Sequence, residues 1–81
     1  MKLPVLDTIK KILVDRFAIK PELIQPVTHL EKDLKLDSMD AIDLLLALNE
    51  TFNIRIPEQA LTDIHSINDL VVIIKKLQPR A

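Results

Sequence analysis

Few side chains in this 81-residue chain can do bond-making chemistry. Cysteine is absent, which excludes a thiol nucleophile, a disulfide framework and a cysteine metal site. Glycine is absent too, and with it the P-loop, the dinucleotide fingerprint and the elbow that presents a serine nucleophile. The histidines are His29 and His65. What remains is a short acidic stretch around one hydroxyl, Asp37-Ser38-Met39-Asp40. Three roles are open to Ser38. It can be an ordinary helix-start serine. It can be a hydrolytic nucleophile, but that role needs a base and a third group to orient the base, and the chain offers no such set. It can be a site that another enzyme modifies with a phosphate-linked group, because the free N–H groups and positive dipole end of a helix suit a phosphodiester. The modifying enzyme would then supply base and metal, and the attached arm the sulfur that the chain lacks. No catalytic set and no metal-ligand set emerges.

Helices must position these residues. Val5, Leu6, Ile9, Ile12, Leu13 and Phe17 recur at helical spacing, with Asp7, Lys10, Lys11 and Asp15 on the other side. A first helix is expected from about Pro4 to Phe17, with Pro4 in its first turn. Pro21 and Pro26 interrupt the next segment, so residues 18–36 read as a long connection with a short turn around Glu22–Ile24, pinned to the core by Leu30 and Leu34. A second helix is expected from Ser38 to about Phe52. Asp37 and Asp40 form a variant capping box at its start and suit its dipole, and Asn53 stops it in place of glycine. Ile54-Arg55-Ile56-Pro57 is an extended link, succeeded by a short helix from Pro57 to Leu61. The last helix starts at Ser66 with a second capping box, Ser66 and Asp69. It turns Ile67, Leu70, Val71, Ile74 and Leu77 inward and ends before Pro79. The fold class is all-α: three main helices and one short one, with a long connection between the first two, in a single domain over residues 1–81.

The second helix carries more apolar surface than one core face needs. At 100° per residue from Met39, the residues Leu44, Leu48, Ala41, Phe52 and Leu45 fall between about 140° and 240°. Met39, Leu46 and Ile42 fall between about 300° and 360°, beside Asp43, Asn49 and Glu50. Either the helix is buried all round, or the second stripe is an exposed docking patch with an acidic edge. Burial would place Asp43 and Glu50 in the interior without partners, which is costly.

Composition narrows the function classes. Hydrophobic residues make up 48% and charged residues 28%, a globular rather than disordered balance. Phe17 and Phe52 are the sole aromatics and the net charge is −1, so nucleic-acid binding is not expected. A helix-turn-helix reading fails further, because residues 38–53 hold Asp40, Asp43 and Glu50 and no Lys or Arg. No apolar run approaches the length of a membrane span. Met1-Lys2-Leu3-Pro4 meets Asp7 and Lys10-Lys11 and does not read as a signal peptide, so a cytoplasmic location is expected. Charge is uneven: residues 1–35 carry +2, residues 36–64 carry −5 and residues 65–81 carry +2. An acidic middle expects either solvent or a basic partner.

The stretch Leu30-Glu31-Lys32-Asp33-Leu34-Lys35-Leu36-Asp37-Ser38-Met39-Asp40 resembles the prosthetic-group motif of acyl carrier proteins. The resemblance continues through Ile42–Phe52 as the family's second helix, through Ile54–Pro57 as its link into the short helix, and through Ser66–Leu77 as its last helix. It implies that Ser38 accepts 4′-phosphopantetheine from coenzyme A through a magnesium-dependent phosphopantetheinyl transferase. The thiol of that arm would carry an acyl group as a thioester, and an aliphatic core would open to shelter it. Asp37, by the same resemblance, helps the transferase position coenzyme A. Met39, Asp40, Ile42, Asp43, Leu46 and Glu50 match the partner-facing side, which meets basic grooves on acyl-loading and acyl-processing enzymes. The implied protein is a non-catalytic monomeric carrier for fatty-acid, polyketide or related biosynthesis. A D-alanine or other aminoacyl carrier is the alternative within the class, although Asp40 and Asp43 look more like the acyl type. An unmodified helical interaction domain is the alternative outside it. Two positions depart from the family pattern. Lys35 stands where glycine is usual, and Asn49 stands where an acid is frequent.

Overall fold

Each helix begins and ends where local chemistry dictates. The computed structural model describes residues 5–78; the expectations placed on Pro4 and Pro79 lie outside them. Helix α1 is Val5–Phe17, α2 is Ser38–Phe52 and α3 is Ile67–Leu77. Two 3-10 helices, Pro21–Leu23 and Glu58–Asp63, punctuate the connections. The expected short helix is therefore shifted: Pro57 is its cap, since a residue with fixed φ and no N–H suits the entry rather than the interior.

Among the described residues α1 buries Val5, Ile9 and Leu13, one residue per turn on a single face. α2 contributes Leu44, Leu45 and Leu48, and α3 contributes Ile67, Leu70 and Ile74. α1 packs on both of the other long helices, so the core is the wedge between them. Leu77 does not join it. As the final residue of α3 it has no further turn to cover it, and it is 41% exposed.

Left-handed backbone closes two of the helices without glycine. The chain leaves α1 through Ala18, at φ 55°. It leaves α2 through Asn53, at φ 55° and ψ 50°, where the Ile54 N–H donates to the Asn49 carbonyl at 3.0 Å. That is a Schellman closure with asparagine in the glycine place.

The long connection is held rather than loose. Ile24, Leu30, Leu34 and Leu36 are buried, which extends the two anchors expected. Thr28 is also buried; its hydroxyl donates to the Leu23 carbonyl at 2.8 Å and accepts from the Gln25 N–H at 2.9 Å. Backbone bonds then staple the connection to the start of α3. The Leu30 N–H donates to the His65 carbonyl at 2.8 Å, the Ile67 N–H to the Thr28 carbonyl at 3.0 Å and the Asn68 N–H to the Pro26 carbonyl at 2.9 Å. An isolated antiparallel bridge between His29 and Ser66 marks the seam.

Candidate functional site

Ser38 is the first residue of α2, one position inside the cap. The cap is Asp37, whose carboxylate accepts from the Asp40 N–H at 2.9 Å; the Asp40 carboxylate accepts from the Asp37 N–H at a long 3.4 Å. With capping done by its neighbour, the Ser38 hydroxyl makes no hydrogen bond with any described residue and lies exposed. The N–H groups of Ser38 and Met39 belong to the first turn and have no helical acceptor. An exposed, unengaged hydroxyl beside free N–H donors and a positive dipole end fits a phosphodiester.

A cleft of about 470 Å³ opens beside Ser38. Ala41 and Ile42 of α2, Leu61 and Ile64 at the second 3-10 helix, and the rings of His29 and His65 line it. Those rings stack with centroids 6.0 Å apart and planes 22° apart. Local spacing gives no sign of this pairing, because it depends on the bridge between His29 and Ser66, residues 37 apart in the chain. Neither ring bonds to Ser38, and Nδ1 of His29 accepts from the Lys32 N–H at 3.1 Å. No group of three metal-ligating side chains occurs among the described residues. The parts of a hydrolytic site are not assembled here.

The second apolar stripe of α2 is exposed where it counts. Met39 is 79% and Leu46 is 58% exposed, while Leu44, Leu45 and Leu48 on the opposite side are buried. Burial all round is thereby excluded. Ile42 is half-buried at the rim of the cleft, Asp40 and Asp43 are partly exposed, and Glu50 is exposed. Asp43 is not free: Nη2 of Arg16, in the last turn of α1, donates to its Oδ1 at 2.9 Å.

Both departures noted in the sequence acquire a physical meaning. Lys35 adopts φ 60°, so the position demands the left-handed region that glycine enters at no steric cost, and lysine enters it here. Asn49 is not a weakened member of the acidic face. Its side-chain amide donates to the Ile56 carbonyl at 3.3 Å and accepts from the Ile56 N–H at 2.8 Å, clamping the extended link to α2. A carboxylate could only accept.

Comparison with known proteins agrees with this geometry. Residues 7–73 match the family described as phosphopantetheine attachment site. The chain is 34% identical to the acyl carrier protein of Wolinella succinogenes over 67 residues, covering 83% of this chain and 88% of that one. It is 33% identical to that of Campylobacter curvus over 73 residues, covering 90% and 95%. Its structure resembles the crystal structure of the acyl carrier protein of Thermotoga maritima, with a TM-score of 0.80 and 25% identity, covering 90% and 85% of the two chains. The chain belongs to the acyl carrier protein family, whose members bear covalent 4′-phosphopantetheine and are carriers rather than catalysts.

Proposed function

We propose that Ser38 is the attachment point and that the protein presents acyl thioesters on its arm to partner enzymes of fatty-acid, polyketide or related biosynthesis in the cytoplasm. The observation that carries this is the Ser38 hydroxyl itself, exposed at the first turn of α2 and released from capping by Asp37. Bound there through a phosphodiester, the arm supplies the thiol that the chain lacks. Asp37 keeps the first turn closed and offers a carboxylate beside the serine, where a transferase brings its metal and coenzyme A. The Met39 and Leu46 side chains supply apolar contact, with Ile42 at the rim, and Asp40, Asp43 and Glu50 supply the acidic surround for a basic docking groove.

The test is an intact-mass measurement after incubating the apo-protein with coenzyme A, magnesium and a broad-specificity phosphopantetheinyl transferase. One phosphopantetheine is expected on the wild type and none on Ser38→Ala. Addition to both proteins, or to neither, overturns the assignment.

A further inference from the structure

The acids of α2 are not equivalent, and the difference comes from α1. The Arg16–Asp43 pair is the one salt bridge among the described residues, at 2.9 Å. It joins residues 27 apart in the chain, and its side chains are 52% and 49% exposed. Among the described residues no cation forms a salt bridge with Asp40 or Glu50, and residues 38–53 contain no base of their own. Arg16 also lines a groove of about 440 Å³ between α1 and α2, together with Lys11 and Asp15 of α1 and Ala47 and Glu50 of α2.

Resting on the docking role given to α2 above, we infer that Arg16 determines which basic surfaces the protein accepts, by occupying Asp43 in advance. A lysine or arginine approaching Asp43 meets a guanidinium already seated on it. Displacing Arg16 leaves that cation inside the forming interface, where the exclusion of water strengthens the repulsion. The fitting partner is an enzyme surface whose cations reach Asp40 and Glu50, ten positions and so about 15 Å apart along the helix axis. Its centre, facing Leu46 and the neutralised pair, is apolar or uncharged. A partner with a continuous basic ridge fits less well.

The test is a double-mutant cycle on the apo-protein, reading KM for modification by a broad-specificity phosphopantetheinyl transferase at low ionic strength. Arg16→Gln unmasks Asp43 and lowers KM by about threefold to tenfold, an effect that shrinks in high salt. Asp43→Asn raises KM less in the wild type than it does when added to Arg16→Gln, where it also reverses the gain, so the two changes are not additive. Arg16→Lys, which keeps the charge, stays near the wild-type KM. Thermal melts confirm that each variant is folded. An unchanged or raised KM in Arg16→Gln, or an additive cycle, overturns the inference. Asp40→Asn and Glu50→Gln separate this from the docking reading. If they raise KM while Arg16→Gln does not lower it, the masking role alone fails; if they too leave KM unchanged, α2 is not the docking helix and both readings fall.

Discussion

The starts of α2 and α3 are built from the same motif and use it for opposite ends. At α3 the serine is the cap: the Ser66 hydroxyl accepts from the Asp69 N–H at 3.3 Å. Asp69 closes the box from inside, its Oδ2 accepting from the His65 N–H at 2.9 Å and the Ser66 N–H at 3.1 Å. At α2 an aspartate is the cap, and the serine stands one residue later with its hydroxyl idle. Moving the serine by one position takes it out of the cap and leaves its hydroxyl unengaged, which is what the attachment role proposed above requires. The approach differs as well. Lys35 lies in the left-handed region two residues before Asp37, whereas no described residue near Ser66 has positive φ.

The sharpest way to break this contrast is at the two hydroxyls. Ser38→Ala is expected to abolish arm attachment completely, while Ser66→Ala keeps it and loses about 1 kcal/mol of stability. Mass spectrometry and a thermal melt check both, and arm attachment that depends on Ser66 would invert the assignment. Next come the acids at the third helical position. Asp40→Lys, at the weakly closed box, should raise the transferase KM by about tenfold at low salt with a small change in Tm. Asp69→Ala should instead cost about 1–2 kcal/mol by leaving N–H groups of the turn without their acceptor. For a domain of this size that is a Tm drop of about 4–8 °C per kcal/mol.

Asp69 also predicts a pH dependence. The His65 N–H, then the Ser66 N–H, holds its carboxyl below the usual aspartate value, although partial burial works the other way. A carboxyl with a depressed native value binds its proton more weakly when folded than when unfolded. Its stabilisation is full above the ordinary aspartate value of about 3.9 and is lost as pH falls through the lower native value. Denaturant melts of wild type and Asp69→Asn should therefore differ most above about pH 4 and converge in stronger acid; a gap that widens on acidification would contradict the assigned bonds. The smallest effect belongs to the approach. Lys35→Gly should gain about 0.5 kcal/mol, the relief of a left-handed lysine less the added freedom of an unfolded glycine. A loss of stability on equilibrium melting would show that the lysine side chain, not the backbone, matters there.

Much of the fold was legible because it rests on local signals. Both capping boxes, the Asn53 stop and the two-sided α2 derive from residue types at fixed offsets, and the structure shows each of them. The place of Ser38 at the start of α2 was legible for the same reason. What escaped was set by partners distant in the chain. Nothing near Asn49 announces that its amide will clamp Ile56, and nothing near Asp43 announces Arg16. The stacking of His29 on His65 depends on a bridge between two loops. Leu77 carries the right spacing for the core but sits at the helix end, half uncovered; periodicity reports a direction and not the presence of a neighbour.

The bridge between His29 and Ser66 has a mechanical consequence for the cleft beside Ser38. One side of that hollow is riveted by main-chain bonds to α3. The other is a six-residue 3-10 helix, Glu58–Asp63, without a single buried side chain. A container with one fixed and one yielding side expands in one direction only. Any bulk pressed into it should push the Leu61 wall outward while the histidine wall keeps its shape, and amide exchange should quicken on the first and stay slow on the second.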